Sequence, residues 1–141
     1  MGYLNQKIKD DLAAAFKDLK QSVTLKFFSQ EMECRFCKET RELLEELSAI
    51  ADKVKVEVHD FVREAGLASE LGIARIPAIA VGGEKDHGIR FYGIPSGYEF
   101  TSLIEDIVDV SRGTTGLSDK TLQILKAVKE PVHIQVFSTP T

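Results

Sequence analysis

The chain has little cysteine, no excess of positive charge and no long apolar run, and each shortage excludes a class of protein. Only two cysteines occur among its 141 residues, which excludes a framework of structural disulfides, since such a framework needs more cysteines at wider spacings. The formal net charge of −4, with no long run of lysine or arginine, argues against a nucleic-acid-binding protein. No apolar stretch approaches the roughly 18 residues of a membrane span.

The first ten residues are polar and lack the apolar segment of a secretory signal, so we expect a cytoplasmic protein. With 43% hydrophobic and 28% charged residues, the composition is typical of a globular domain in water. In a reducing compartment, a lone pair of cysteines three positions apart is more often catalytic or metal-binding than structural.

The spacing of apolar residues predicts alternating helices and strands in the order αβαβαββα. The predicted helices cover residues 4–20, 34–52, 63–71 and 97–111, and the predicted strands cover 22–28, 53–61, 76–81 and 88–93. A βαβ half followed by a ββα half predicts an α/β fold, with one mixed sheet and helices on both faces.

Several local features of these elements are specific enough to test. Asn5 and Asp10 are alternative caps for the first helix, and Ser96 is the predicted cap of the last one. Strict alternation of valine with charged residues over 53–61 predicts a half-buried strand. The continuous apolar run over 76–81 predicts a central strand instead.

After the last predicted helix, a linker rich in Gly, Thr and Ser is followed by a restart of the initial pattern. Residues 16–29, shifted by 109 positions, align with residues 125–138 with five identities. We therefore predict a first unit over 1–113 and, over 114–141, a linker with the opening helix and strand of a second, truncated unit. The natural protein is then expected to continue into a second cysteine pair. Residues 119–141 are expected to be poorly packed, to join the sheet edge of the first unit, or to pair with another copy.

The two cysteines are Cys34 and Cys37, and they lie where a predicted strand gives way to a predicted helix. Free N–H groups and the macrodipole at a helix start favour an anion, so a cysteine there ionises more readily. The spacing of three brings the second thiol to the same face, where it can resolve a mixed disulfide. We therefore predict that Cys34 is the nucleophile and Cys37 the resolving thiol. Arg35 favours the Cys34 thiolate, whereas Glu31 and Glu33 oppose it.

A CxxC sequence is also half of many zinc sites, which is the alternative chemistry for this pair. Structural zinc requires four ligands. The chain has no second cysteine pair, and His59, His87 and His133 lack the spacing of a histidine half-site. We therefore expect no metal, and we interpret the three histidines as surface residues.

A proline stands at an unusual place, within the apolar run that predicts a central strand. Proline has no N–H to donate, and strands accept it mainly at edges or starts. A trans Pro77 that merely opens the strand is the ordinary interpretation, whereas a cis bond between Ile76 and Pro77 indicates a functional site. The upstream cysteine pair favours the cis bond.

The sequence resembles the thioredoxin/glutaredoxin superfamily in the order of its motifs: a CxxC at a strand–helix junction, G-I-A-R-I-P over 72–77, a hairpin, Gly93 and a final helix. The extra N-terminal helix, the segment 93–113 and the restart after it resemble more closely the thermophile-type protein disulfide oxidoreductases. Those are glutaredoxin-like proteins made of two tandem thioredoxin-fold units. The resemblance covers essentially the whole chain and implies a thioredoxin-like fold.

The resemblance also implies roles for individual residues. Cys34 and Cys37 match the nucleophile and the resolving thiol, and Pro77 matches the cis-proline, so that the backbone of Ile76 pairs with an extended substrate strand. The implied activity is dithiol exchange on protein disulfides, with the Cys34–Cys37 disulfide as the redox group, no other cofactor, and a thioredoxin-reductase-like reductant as a partner. Facing outward between the cysteines, Phe36 is either a substrate contact or a packing residue.

Two departures from thioredoxin bear on the chemistry. The sequence over 34–37 is CRFC rather than CGPC, so the redox potential of thioredoxin does not transfer. Phe27 or Phe28 occupies the stretch where thioredoxin has a buried aspartate, so a different group, such as a glutamate or water, must handle the proton of the resolving thiol. The alternative function is a redox-inactive scaffold or docking unit whose chemistry resides in a missing second unit.

Overall fold

A computed structural model describes residues 2–139 of the chain. Its elements follow the predicted order αβαβαββα, and one more helix follows the linker. The helices are α1 (Gln6–Phe16), α2 (Cys37–Ser48), α3 (Ala65–Glu70), α4 (Tyr98–Arg112) and α5 (Asp119–Lys126), and the strands are β1 (Val23–Ser29), β2 (Val54–Asp60), β3 (Ala78–Gly82) and β4 (Asp86–Tyr92). Within the described residues, no helix is both long enough and apolar enough to cross a membrane.

The four strands form one mixed sheet in the order β2-β1-β3-β4. β1 pairs in parallel with β2, beginning with Val23 opposite Val54, and antiparallel with β3. β4 returns antiparallel to β3. The predicted α/β fold with a mixed sheet is confirmed, and β3 lies inside the sheet, as its continuous apolar run predicts.

β1 directs its side chains alternately to the two faces of the sheet, and helices pack on both. Val23, Leu25 and Phe27 are fully buried on the face that α1, α2 and α4 cover. Phe28 packs on the other face with a smaller cluster that includes Ala68 of α3. Full burial of a large apolar side chain stabilises the fold by about 1.5–3 kcal/mol. Because β1 is buried on both faces, it fixes the position at which the following loop begins.

The helix caps differ in part from the prediction. At α1 the side chain of Asn5, not that of Asp10, accepts a hydrogen bond from the N–H of Ile8, at 2.9 Å. At α4 the prediction that Ser96 is the cap is wrong. Gly97 directly precedes this helix with a φ of 59°, and no side chain caps it, because the turn at this glycine brings the chain into the helix.

Two predicted elements also differ in extent or burial. α2 begins at Cys37 and ends at Ser48, inside the predicted span 34–52, because a turn precedes it. In β2, Val54 is buried but Val58 is 42% exposed. The strict alternation predicted a buried face along the whole strand, and it fails at Val58 because β2 lies at the sheet edge, where helix cover is incomplete.

Beyond α4, the chain contributes nothing to the core. None of the described residues after Ser111 is buried. The predicted strand of the second unit is absent from residues 131–139, because a lone strand has no neighbouring backbone with which to pair. The exposed apolar side chains of this segment are those of Val132, Ile134, Val136 and Phe137. Residues 119–139 are thus poorly packed on the rest of the chain, which is one of the expected outcomes, and residues 140 and 141 lie outside the described range. Pairing with another copy and the division of the chain into two units stay predictions.

Candidate active site

Cys34 and Cys37 are joined by a disulfide at the junction between β1 and α2. Their Cα atoms are 5.5 Å apart. Cys34 lies in the loop after β1 and is half-buried, whereas Cys37 is the first residue of α2 and is only 7% exposed. The pair therefore has one accessible and one covered member, which is the asymmetry that the predicted roles require.

Thr40 ties the cysteine loop to the first turn of α2. Its Oγ1 donates a hydrogen bond to the carbonyl oxygen of Phe36 at 2.6 Å, and its backbone N–H donates to the same oxygen at 3.0 Å. The side chain is fully buried, and its hydroxyl is satisfied by this bond. The helical pattern predicts Thr40 only as part of the buried face. The sequence signal for this hydrogen bond is that Thr40, a polar residue, stands in the apolar stripe of the helix, three positions after Cys37.

The two residues between the cysteines lie on the surface. Phe36 is 40% exposed, and the guanidinium carbon of Arg35 lies 5.0 Å from the centre of its ring, within cation–π range. This partial exposure is compatible with both roles predicted for Phe36, and the choice between them stays a prediction. Glu33 is also exposed and has a φ of 57°, which is uncommon for a residue other than glycine. It turns the chain directly before Cys34.

The Ile76–Pro77 peptide bond is cis, as predicted. β3 begins at the next residue, Ala78, which pairs with Phe28 near the end of β1. This register places Pro77 at the end of the sheet from which the cysteine loop leaves. The carbonyl oxygen of Pro77 accepts a hydrogen bond from the N–H of Gly93 at 2.9 Å. In contrast, neither the N–H nor the carbonyl of Ile76 hydrogen-bonds to any of the described residues.

His59 lies on β2 beside Phe28 and is not the surface residue that the sequence predicts. Its ring stacks on that of Phe28 with centroids 5.2 Å apart, and its side chain is only 15% exposed. Its Nδ1 lies 2.9 Å from Glu64 Oε1, and its Nε2 lies 3.3 Å from Glu57 Oε2. Hydrogen bonds from His59 and from the N–H of Asp60 lower the pKa of Glu64. The strand register that brings His59 to Phe28 is a long-range feature, so the local sequence carries no signal for it.

Both cysteines line a cleft of about 620 Å³ between α2 and the end of β2, which we call the disulfide cleft. The cleft carries charges of both signs. Its other lining residues are Ser29, Gln30, Glu31, Lys38, Arg41, Val58, Asp60, Arg63 and Glu64. Within residues 2–139, no group of three or more His, Cys, Asp or Glu side chains is placed to hold a metal ion.

Comparisons with known proteins establish the fold. Over 91% of its length the chain superimposes on the NTD_N/C domain of the alkylhydroperoxide reductase AhpF from Enterococcus faecalis, with a TM-score of 0.82 and 23% identity. A protein disulfide oxidoreductase from Aeropyrum pernix matches 89% of the chain with a TM-score of 0.77 and 24% identity. The chain has the thioredoxin fold. The predicted fold is thereby confirmed, and the Aeropyrum protein is of the type that the sequence resembles.

At the level of sequence the matches are weaker and partial. No family model matches the chain. A curated relative from Bacillus subtilis, named NADH dehydrogenase, is 28% identical over 140 residues, which are 98% of this chain and 25% of the relative. The chain thus spans about a quarter of that relative, 55% of the Aeropyrum chain and 62% of the Enterococcus chain.

Proposed function

We propose that the chain is a thiol–disulfide oxidoreductase that acts on protein disulfides by dithiol exchange. The observation that carries the proposal is the Cys34–Cys37 disulfide, which has one accessible and one covered member at a strand–helix junction. The thioredoxin fold supports the proposal but does not decide it, because a fold hosts many functions and the function resides in the site.

The proposed reaction begins with the dithiol form, in which the Cys34 thiolate is the nucleophile. Its sulfur attacks one sulfur of the substrate disulfide, so a mixed disulfide forms, the substrate S–S bond breaks and one substrate thiolate leaves. The Cys37 thiolate then attacks the Cys34 sulfur, which restores the Cys34–Cys37 disulfide and releases the second substrate thiolate. The substrate gains the electron pair that the protein loses, both substrate thiolates take protons from water, and a dithiol reductant resets the protein.

We propose that the substrate chain docks against the backbone of Ile76. The N–H and the carbonyl of this residue lack hydrogen-bond partners within the described residues, and free main-chain groups of this kind pair with an extended strand. Pro77 positions this segment at the end of the sheet where the cysteine loop begins, and Phe36 offers an exposed aromatic surface. Arg35 stabilises the Cys34 thiolate by its charge, and Glu33 opposes it.

We further propose a cytoplasmic location, a role in cell redox homeostasis and a thioredoxin-reductase-like electron donor. The presence of one CxxC pair and no other cysteine supports a reducing compartment. The name of the Bacillus relative makes NADH a candidate source of the electrons that such a donor would deliver. We propose no redox group in this chain besides the Cys34–Cys37 disulfide.

The proposed function is tested by the reduction of insulin disulfides with dithiothreitol as the electron donor. We expect the wild-type chain to accelerate the reduction and Cys34→Ser to abolish the acceleration. Cys37→Ser should accumulate a covalent adduct with the substrate, visible by mass spectrometry and removed by excess reductant, because only the second thiol clears the mixed disulfide.

Thr101→Ser, a substitution on the exposed side of α4, is the control and should behave as the wild type. An active Cys34→Ser variant would place the chemistry elsewhere. A wild-type pair that cycles between thiols and disulfide but never reduces insulin would support the alternative function, a docking unit.

A further inference from the structure

We propose that Arg90 and Tyr92 of β4 are positioning residues for disulfide exchange, because they hold the loop that presents the backbone of Ile76 to the substrate. This loop covers residues 71–77, from the end of α3 to the cis-proline, and we call it the docking loop. The inference rests on the proposed function and adds how its substrate-pairing segment is fixed. Three features carry it: the docking loop is bound at both ends, its middle is unpaired, and Arg90 is itself held in place.

Side chains of β4 bind the first part of the docking loop. Arg90 Nε donates a hydrogen bond to the carbonyl oxygen of Leu71 at 3.0 Å. The hydroxyl of Tyr92 donates one to the carbonyl oxygen of Gly72 at 3.3 Å. The next residue, Ile73, is buried in the smaller apolar cluster, against which Tyr92 also packs. The docking loop is therefore fixed where it leaves α3.

The backbone fixes the far end of the docking loop and leaves its middle unpaired. The carbonyl oxygen of Pro77 accepts a hydrogen bond from the N–H of Gly93, the residue that follows β4. Between the two fixed ends, the backbones of Ala74, Arg75 and Ile76 make no hydrogen bond to any of the described residues. A short segment that is held at both ends and unpaired in the middle suits pairing with an extended chain.

The ring of Tyr92 also contacts the middle of the docking loop. The guanidinium carbon of Arg75 lies 5.0 Å from the centre of this ring, within cation–π range. Arg75 directly precedes Ile76 in the chain, so a side chain of β4 restrains the residue next to the one that pairs with the substrate. Tyr92 therefore holds the docking loop at two points, the carbonyl oxygen of Gly72 and the side chain of Arg75.

Arg90 is itself fixed by an ion pair within β4. Its side chain is 14% exposed, and its Nη1 and Nη2 donate to the two carboxylate oxygens of Asp86 at 2.8 and 2.6 Å. Hydrogen bonds from Arg90 and from the N–H of Gly88 lower the pKa of Asp86 to about 2, so this carboxylate stays ionised at neutral pH. A bidentate pair fixes the direction of the guanidinium as well as its distance. The remaining donor, Nε, is thereby directed at the carbonyl of Leu71.

The test compares a protein disulfide, insulin, with a small disulfide, dithiobis-nitrobenzoate, which has no chain to pair with the docking loop. The protein is reduced, freed of reductant and mixed with increasing amounts of each disulfide, and the initial rates are measured. Arg90→Lys keeps a positive charge for Asp86 but loses the Nε donor, and Tyr92→Phe keeps the ring but loses the hydroxyl.

We expect each variant to raise the half-saturating concentration of insulin about threefold, and the two together about tenfold, with the maximal rate nearly unchanged, because a loosened docking loop weakens binding and not the exchange step. The rate with dithiobis-nitrobenzoate should stay that of the wild type, since the cysteine pair is untouched.

The control is Lys53→Met, at the opposite end of the sheet. Lys53 Nζ donates hydrogen bonds to the carbonyl oxygens of Leu19 and Lys20 at 2.6 and 2.9 Å, so it is also a cation bound to main-chain oxygens. Its own carbonyl pairs with the N–H of Val23 at the start of β1, whereas the cysteine loop leaves the end of that strand. The variant should lower the melting temperature and leave the half-saturating concentration of insulin unchanged.

An unchanged half-saturating concentration of insulin in the double variant would overturn the inference about the docking loop. So would an equal loss of rate toward both disulfides, or a rise of the same size in Lys53→Met, because either result would indicate a general loss of structure. Failure of the wild type to reduce insulin would instead overturn the proposed function. The two failures are therefore distinguishable in one experiment.

Discussion

At the scale of single residues, the fold treats two chemically identical side chains differently. Cys34 lies in a loop and remains partly open to solvent, whereas Cys37 is built into the start of a helix and packs in the main core. A thiolate can attack only a disulfide that reaches it, so access assigns the first step to Cys34. The covered position of Cys37 suits a thiol whose target is its own neighbour.

This difference predicts the order of alkylation. In the reduced protein at neutral pH, iodoacetamide should modify Cys34 about tenfold faster than Cys37, because the thiolate must be accessible to react. Mass spectrometry of the proteolytic peptides after short exposures gives the two rates. Equal modification of the two thiols in urea is the control. Equal or reversed rates in the folded protein would be incompatible with the proposed roles.

At the scale of elements, one buried hydroxyl adds a hydrogen bond at the start of α2. The helix lacks a side-chain cap at Phe36, and the carbonyl oxygen of Phe36 accepts both the first helical hydrogen bond, from the backbone N–H of Thr40, and a second one from the Thr40 hydroxyl. The buried leucines of α2 hold the rest of the helix against the sheet. Thr40 therefore connects the packed body of α2 to the loop between Cys34 and Cys37.

We expect Thr40→Val to lower the free energy of unfolding by about 1 kcal/mol, because it removes one hydrogen bond and leaves the shape of the side chain nearly unchanged. Urea denaturation of the oxidised protein measures the change. Thr101→Val, an identical substitution at an exposed position of α4, is the matched control and should cost less. If Thr40→Val lowers the free energy of unfolding no more than Thr101→Val does, the hydrogen bond from the Thr40 hydroxyl contributes nothing to stability.

The local sequence predicts elements well and their mutual positions poorly. The apolar patterns of β1 and β3 follow from neighbouring residues, whereas the cis bond at Pro77 is predicted only in combination with the cysteine pair upstream, and the structure contains all of them. The stack of His59 on Phe28 depends on the register between two strands, so a single strand cannot reveal it. The exposure of Val58 likewise depends on which strand forms the edge.

At the scale of the whole molecule, the core is complete before the linker. Both clusters of buried apolar residues are formed by the chain up to Val110, and Gly113 ends α4 by donating its N–H to the carbonyl of Asp109 at 2.9 Å. The later helix, α5, has no buried residue. Among the described residues, all buried side chains thus precede the linker, and a self-sufficient unit over 1–113 stays a prediction.

Truncation after Gly113 tests the predicted division of the chain. We expect residues 1–113 to keep the fold and the exchange activity, with a melting temperature within about 3 °C of the full chain, since no buried contact is lost. Circular dichroism and the insulin assay provide the readouts. As a matched comparison, truncation after Leu103 removes buried residues of α4 and should unfold the protein. Unfolding of the 1–113 chain itself would show that the later residues belong to the first unit.

The hydrogen bond from the Thr40 hydroxyl to the carbonyl oxygen of Phe36 has a consequence for how the sequence of this protein can change. Any residue at position 36 presents the same carbonyl, so the anchor of the loop does not depend on which side chains stand between the cysteines. Substitutions at exposed positions usually change stability by less than about 0.5 kcal/mol, while the neighbours of a thiol pair tune its reduction potential. Substitutions at Arg35 and Phe36 can therefore change the reduction potential of the cysteine pair while the stability of the fold changes little.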